Sequence, residues 1–512
     1  MARYKHYDYS QARLLPVRFE EQILPGTFEH TLASVIDGRI DLSVFEARYR
    51  NDAVGAPAYD PGILLKVILF AYSKGVTSSR EIERLCRENV VFMALSADSR
   101  PHFTTIAGFI ARLDAEIVSV FRDVLLVCDE LGLIGREMFA VDGVKLPSNA
   151  SKEWSGTRAD FEKKAQKMER AVERLMRRHR EVDQKGEDAG VRAARERQIR
   201  TLETAVEKIR GFLRRGEDRV GPSGRVKKSN LSDPESAKMK TSKGVIQGYT
   251  AVAVVDAKNQ VVVGAEAFGE GQEHALLIPV LERTRATFRE IKGEGDILRG
   301  AILTADAGFC AEANLEHLER SEVDGYVADT LFRKRDPRFA EAKRHRPEER
   351  ADPDRRFRPA DFVFDETARS CICPAGKQLY ANGANVVIRG LRGMKFRGAK
   401  RDCSPCQLRQ RCLKDPQRTA VRQVVFFLGR EKARPENCSA RMKRKIDTEY
   451  GRYQYGRRLG TVEPVFANIC HAHGLRRFGL RTKRKVDIQW LLYCMVHNLG
   501  KVSRYGRAAQ PE

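Results

Sequence analysis

Apolar residues recur at three- and four-residue intervals through "YDPGILLKVILFAYSKGVTSSREIERLCREN" (59–89), the spacing that gives a helix one buried face. Pro61 suits the start of a first helix, Gly75 its stop, and Ser78 or Ser79 the cap of a second. The same period runs on through "DSRPHFTTIAGFIARLDAEIVSVFRDVLLVCDELGLI", which predicts one or two further helices. After an arm at 1–40, residues 41–135 therefore read as a compact helical domain. Helix-turn-helix DNA binding and a plain packing bundle are both open to it.

The pattern then changes. "MFAVDGVKLPSNAS" is a short apolar run that reaches Asp142 and a glycine, and reads as a strand. Residues 155–225 are highly charged, with two seams at three- and four-residue spacing: Phe161, Ala165, Met168, Val172 and Leu175, then Ile199, Leu202, Val206, Ile209 and Leu213. Between them "KGEDAG" breaks the helix, so an inserted helical hairpin is predicted, its charges a solvated face. After the loop "LSDPESAKMKTSKGVIQGY", "TAVAVVDAKNQVVVGAEAF" reads as two strands turning at "DAKNQ". "EHALLIPVLERTRATFREI" is a helix, "ILTADAGF" a strand, "AEANLEHLERSE" a helix and "GYVAD" a strand. That order predicts an α/β fold, a mixed sheet flanked by helices.

Two strands thus deliver an aspartate, Asp142 and Asp306, at their carboxyl ends beside a glycine, the edge where open α/β sheets hold ligands. One strand-end Asp is most often a turn former; two in matching contexts suggest shared chemistry. Crowded carboxylates repel unless a cation offsets them, and Mg²⁺ takes hard oxygen ligands while keeping open positions. Two such ions roughly 4 Å apart activate a nucleophilic oxygen and stabilise a leaving one. A third acid should come from a helix that packs on the sheet. In "YGRYQYGRRLGTVEPVFANICHAHGLRRFGL", Thr461 can cap a helix whose first turn holds Glu463 and Pro464, followed by the apolar face of Val465, Phe466 and Ile469. Glu449 is the second choice.

Charge narrows the partners. The 512 residues carry 93 Lys and Arg against 69 Asp and Glu, a net +24 that suits a polyanion. The start "MARYKHYDYS" is no signal peptide and the apolar stretches are too short to span a bilayer, so a cytoplasmic protein without a membrane partner is expected. "RMKRK" and "RTKRK" suit phosphate contacts, as do Lys240 and Lys243 in "MKTSKG". His471, His473 and His497 read as packing residues. Of 11 cysteines, five fall between 371 and 412. Cys371, Cys373, Cys403, Cys406 and Cys412 have spacings from which four could form a closed, structural Zn²⁺ site; buried or free thiols are the alternative.

The order of Asp142, of Asp306 in "LTADAGF" and of Glu463 in "RRLGTVEPVFANI" resembles the DDE-type transposases of bacterial insertion sequences, whose catalytic core is RNase H-like. The helical stretch at 59–109, "SDPESAKMKTSKGVIQGYTAVAVVD" and "EPVFANICHAHGLRRFGLRTKRKVDIQWLLYCMVHNLGKV" are similar to family segments, and the resemblance extends over most of residues 40–505. It implies a core at 136–335 and 440–505, with a cysteine-bearing insertion at 336–439. It further implies that Asp142, Asp306 and Glu463 bind Mg²⁺ or Mn²⁺, cleave the element ends and join the freed 3′ hydroxyls to target DNA. The implied partners are double-stranded DNA, as terminal inverted repeats and target, and further copies of the chain in a nucleoid-associated assembly. In the family signature Tyr-x2-Arg-x3-Glu-x6-Lys, Tyr455 and Arg458 hold the first spacing. Four residues rather than three then precede Glu463, and Cys470 stands at the lysine position, with Arg476 or Arg477 as substitutes for its DNA contact. Two alternatives stay open: a related metal-dependent nuclease, and an inactive descendant that binds transposon ends as a repressor or architectural factor.

Overall fold

A computed structural model describes residues 17–49, 57–183, 189–218, 226–293, 295–339, 355–383, 386–388, 391–430 and 437–506, with Val220 and Ala342 besides. The opening stretch 1–16 and most of the expected hairpin turn, 184–188, lie outside the described residues. The chain divides into two compact units: the described residues up to Phe332 with those from Met442 onward, and Arg333–Arg441.

The first unit begins with helices α1 (Phe28–Arg39), α2 (Pro61–Ser73), α3 (Ser79–Glu88), α4 (Val90–Leu95), α5 (Phe103–Arg112) and α6 (Ala115–Glu130). Pro61 opens α2 as expected, and the Asp60 side chain accepts from the N–H groups of Gly62 (2.6 Å) and Ile63 (3.3 Å). Ser78 stands at the cap of α3 but makes no side-chain bond there. The extra turn α4 is nucleated by Asn89, whose side chain accepts from Val91 and Phe92.

Strand β1 (Met138–Pro147) follows. The two-residue strands β2 (Ser155–Gly156) and β3 (Ser229–Asn230) pair and close the base of a hairpin made by α7 (Arg158–Asp183) and α8 (Ala189–Arg214). Its seam buries Phe161, Ala165 and Ile209, as the spacing predicts. Next come β4 (Ala237–Thr241), β5 (Gly244–Asp256), β6 (Val262–Phe268), α9 (Leu277–Lys292), β7 (Ile302–Ala305), α10 (Glu312–Arg320) and β8 (Asp324–Val327). The segment read as a loop at 231–249 in fact contains β4 and the start of β5. Charged residues alternating with Met239 hid an edge strand whose one face is solvated.

β1 lies at the centre of the sheet. β5 runs antiparallel on one side of it and in turn pairs with β6 and β4; β7 and then β8 run parallel on the other. The mixed α/β class expected from the sequence is therefore present.

The second unit is an antiparallel sheet. After α11 (Phe332–Arg335), strands β9 (Val363–Asp365), β10 (Ser370–Ile372), β11 (Gln378–Ala381), β12 (Val386–Ile388) and β13 (Leu391–Arg397) precede the short helices α12 (Lys400–Cys403) and α13 (Arg409–Cys412), then β14 (Gln423–Arg430). Phe362, Cys371, Leu379, Met394, Phe396 and Val424 form its core.

α14 (Cys438–Asp447), α15 (Glu449–Ala467) and α16 (Lys483–Tyr505) complete the chain. α15 packs on β1, β7 and β8, and α16 along β6 and the helices α1, α2 and α6. On α16, Asp487 accepts from the Ala267 N–H (2.8 Å), and Asn498 bonds both the N–H and the C=O of Val262 (2.9 Å each). Those side chains satisfy the open edge of β6, which would otherwise be free to pair with another strand.

Candidate active site

The parallel pairing of β1 with β7 ends at Val141 opposite Ala305. Asp142 and Asp306 are the next residue on each strand, so neighbouring backbones bring both carboxylates to one level. Asp142 is not at a strand end, as the sequence suggested: β1 continues to Pro147, paired throughout with β5, and Gly143 is an extended residue opposite Val252 rather than a turn. β7 is what stops, and β1 loses its parallel neighbour there. Asp306 caps a 3-10 turn, its Oδ1 accepting from Gly308 N–H at 2.6 Å. Asp142 Oδ1 accepts from Gly143 N–H at 2.8 Å. One oxygen of each carboxylate is thus anchored to the backbone.

Over this pair lies α15. Thr461 does not cap a helix, contrary to expectation; α15 starts twelve residues earlier in the sequence at Glu449, with Thr448 as its cap, and runs through Pro464. The proline frees the carbonyl four residues back, that of Gly460, and Gln260 Nε2 donates to it at 3.0 Å. The missing helical bond is therefore replaced by tertiary structure. One consequence is that Arg458, Thr461, Val462 and Val465 are buried while Glu463 is exposed. Among the described residues no hydrogen bond or ion pair joins Glu463 to Asp142 or Asp306. Glu449, the second choice, is also exposed, at the start of the helix.

What α15 brings to the pair is Arg458. Its guanidinium donates from Nη1 to Asp142 Oδ2 at 2.5 Å and lies 5.7 Å from the ring of Tyr455. Arg458 is 7% exposed, and its Nε is buried with no hydrogen-bond partner among the described residues. Tyr455 packs edge-on against Phe332 at 5.0 Å, in a small cluster with Ala328 and Ile446.

A third carboxylate does reach the aspartates, and sequence reasoning missed it. Glu273 lies ahead of α9, in the segment "GEGQEH". A Cβ on Gly308 would stand 2.0 Å from Glu273 Oε2 and 2.9 Å from Asp306 Oδ1, so both acids crowd into the space that this glycine leaves. Lys145 Nζ, three residues beyond Asp142 on β1, meets Glu273 Oε1 at 3.2 Å. The one sequence signal was an acid just before the helix and behind two glycines.

Burial pushes the carboxyl of Asp142 above its usual range; Arg458 opposes this and the charge of Asp306 adds to it. Glu273 is likewise raised by burial, opposed by Lys145 and reinforced by Asp306 and Asp142. Burial works against the charge of Arg458, but Asp142, Tyr455 and Asp306 outweigh it and its pKa rises. Three acids and two cations thus share a half-buried site.

The residues expected to touch DNA are dispersed. Lys240 on β4, Lys243 in the β4–β5 turn, and Arg476 and Arg477 after α15 are exposed. Arg477 donates to the Ser148 carbonyl at 3.2 Å. Arg458 and Tyr455 are instead engaged by protein. Cys470, half-buried, has its thiol pushed up to about 11 by burial.

In the second unit, Cys373, Cys403, Cys406 and Cys412 line one cavity of about 40 Å³. Cys371 does not; it is fully buried in the hydrophobic core of that unit. Cys373 begins a tight turn in which its carbonyl accepts from Gly376 N–H (2.8 Å) and its N–H donates to Lys377 O (2.9 Å). A Cβ on Gly398 would lie 2.6 Å from Cys403 Sγ. Burial raises the Cys412 thiol; Arg422 opposes this, and Cys403, Cys373 and Cys406 add to it.

Two family models match the chain. Residues 372–503 match the Transposase DDE domain, and residues 17–112 match the Transposase domain (DUF772). The first match includes Glu463, Arg458 and the four cavity cysteines; Asp142, Glu273 and Asp306 lie outside both. No curated protein and no solved structure matches. Among the described residues no helix is long and apolar enough to cross a membrane.

Proposed function

We propose that this chain is a DDE-type insertion-sequence transposase, as its two matched domains support, and that it cleaves the ends of its element and joins them to target DNA by metal-dependent phosphoryl transfer. The observation that carries this reading is the placement of Asp142 and Asp306 side by side where β7 ends. The sheet order, with a central first strand, three antiparallel strands on one side and parallel strands on the other, suits an RNase H-like core.

The donor set fits a divalent cation. Hard carboxylate oxygens converge around a glycine that leaves room between them, and the burial of like charges makes a cation a favourable occupant. Asp142 and Asp306 would hold Mg²⁺ or Mn²⁺, and by resemblance Glu463 would be the third acid of the triad. When bound, such ions supply Lewis-acid activation of the attacking oxygen and stabilisation of the leaving one. The chain's own groups orient: Gly143 and Gly308 N–H fix one oxygen of each aspartate, and the second oxygen of Asp142 accepts from Arg458. Arg458 neutralises Asp142 while its side chain is held against Tyr455. Lys240, Lys243, Arg476 and Arg477 present exposed cations for phosphate backbone, giving affinity without sequence choice. Assembly of several copies on paired ends belongs to the same reading. In the second unit, Cys373, Cys403, Cys406 and Cys412 are the right number for a closed structural Zn²⁺ site.

The test is to incubate wild-type protein and Asp306→Ala with DNA carrying the gene's own flanks, with Mg²⁺ or with chelator, and to map the breaks. Metal-dependent breaks at the repeat boundaries that vanish in the variant are expected. Specific binding without cleavage would overturn the enzymatic reading in favour of an inactive end-binding descendant.

A further inference from the structure

The chain makes an effort to bring Glu273 where it stands. After β6, the segment 269–273 passes close beside β4. A Cβ on Gly269 would fall 1.8 Å from the Glu235 carbonyl oxygen, and one on Gly271 would fall 2.9 Å from Met239 Cβ. Only residues without side chains let the backbone approach so near. Thr250 Oγ1 then donates to the Glu270 carbonyl at 2.6 Å, and Glu270 is itself paired with Lys227 at 2.7 Å. The Glu273 side chain, 13% exposed, is thereby delivered to the aspartates, with Oε1 on Lys145 and Oε2 in the gap above Gly308.

Packing alone gives no reason for an acid there. A glutamine would fill the same volume without opposing two half-buried aspartates. A lysine and an arginine already attend the site, Lys145 on Glu273 Oε1 and Arg458 on Asp142 Oδ2. Glu273 and Asp306 meeting over Gly308, beside Asp142, put like charges together, an arrangement that a cation offsets. Glu463 is exposed and makes no hydrogen bond or ion pair with the pair among the described residues.

We propose that Glu273 is a third carboxylate ligand of the divalent cation, sharing it with Asp306 across the space left by Gly308. This rests on the reading of Asp142 and Asp306 as the metal-binding pair. The Lys145 ion pair then holds Glu273 in place when no cation is bound, and the cation takes over the Oε2 side.

Mn²⁺ binding, followed by electron paramagnetic resonance on the full chain without DNA, separates the two ideas. Wild type should bind, and both Asp306→Asn and Glu273→Gln should bind at least about tenfold more weakly, the lower range even for groups that only support a ligand. Circular dichroism checks that each variant is folded. Glu273→Asp, which keeps the charge but shortens the arm, is the second variant and should recover part of the affinity. If Asp306→Asn loses Mn²⁺ while both Glu273 variants bind like wild type, Glu273 is no ligand and the aspartate pair stands. If wild type does not bind, or Asp306→Asn binds as well as wild type, the metal reading falls and the proposal with it.

Discussion

Arg458 and Asp142, 316 residues apart in sequence, form an ion pair at 2.5 Å in which the arginine is 8% and the aspartate 23% exposed at the side chain. Removing one partner of such a pair leaves a buried charge alone. Arg458→Met is therefore expected to lower stability by about 3–5 kcal/mol in urea denaturation, and Asp142→Asn in the same chain to recover much of it. An unchanged unfolding midpoint in Arg458→Met would mean that water already serves Asp142.

Gly308 is defined by what surrounds it. With Glu273 Oε2 2.0 Å from the position a methyl would take, Gly308→Ala must push an acid away. The expected result is loss of metal-dependent cleavage together with a destabilisation of about 1–3 kcal/mol. Glu273→Ala combined with Gly308→Ala should relieve the stability loss without restoring cleavage. Thermal melts and end-cleavage assays on the two variants decide this.

His497 on α16 is buried, with Nε2 donating to the Gln260 carbonyl (2.9 Å) and Nδ1 accepting from Asn468 (2.9 Å). Both nitrogens are used by the neutral ring, and burial holds its pKa down to about 3, with Lys501 and His473 adding to the effect and the Gln260 bond opposing it. The folded state thus refuses a proton that the unfolded chain takes below about 6.5. Its contribution is present above that pH and lost as pH falls towards 3, by up to about 1.4 kcal/mol per pH unit. Urea denaturation at pH 7, 6 and 5 should show wild type losing stability faster than His497→Gln. Parallel pH profiles would contradict this.

The five clustered cysteines should divide four to one. Zinc content of purified protein is expected to fall on Cys373→Ser, Cys403→Ser, Cys406→Ser or Cys412→Ser. Cys371→Ser should keep the metal and lower stability by about 1–3 kcal/mol, because it puts a hydroxyl in an apolar core. Zinc-free wild type would leave the cavity a set of free thiols.

The sequence by itself determined whatever depends on near neighbours along the chain. Period and capping placed α2 at Pro61, the seams of the helical hairpin, and the alternation of strands and helices that leads Asp142 and Asp306 out of apolar runs. Only tertiary structure decided the rest, because it depends on groups far apart in sequence. Strand register, not a turn, puts Asp142 level with Asp306. Gln260 satisfies the carbonyl freed by Pro464, so α15 runs on and turns Arg458 inward and Glu463 outward. A close passage of two glycines beside β4 brings Glu273 to the site, and a hydrophobic core takes Cys371 away from the other thiols. Each is settled by long-range packing, whose geometry no local pattern of residues encodes.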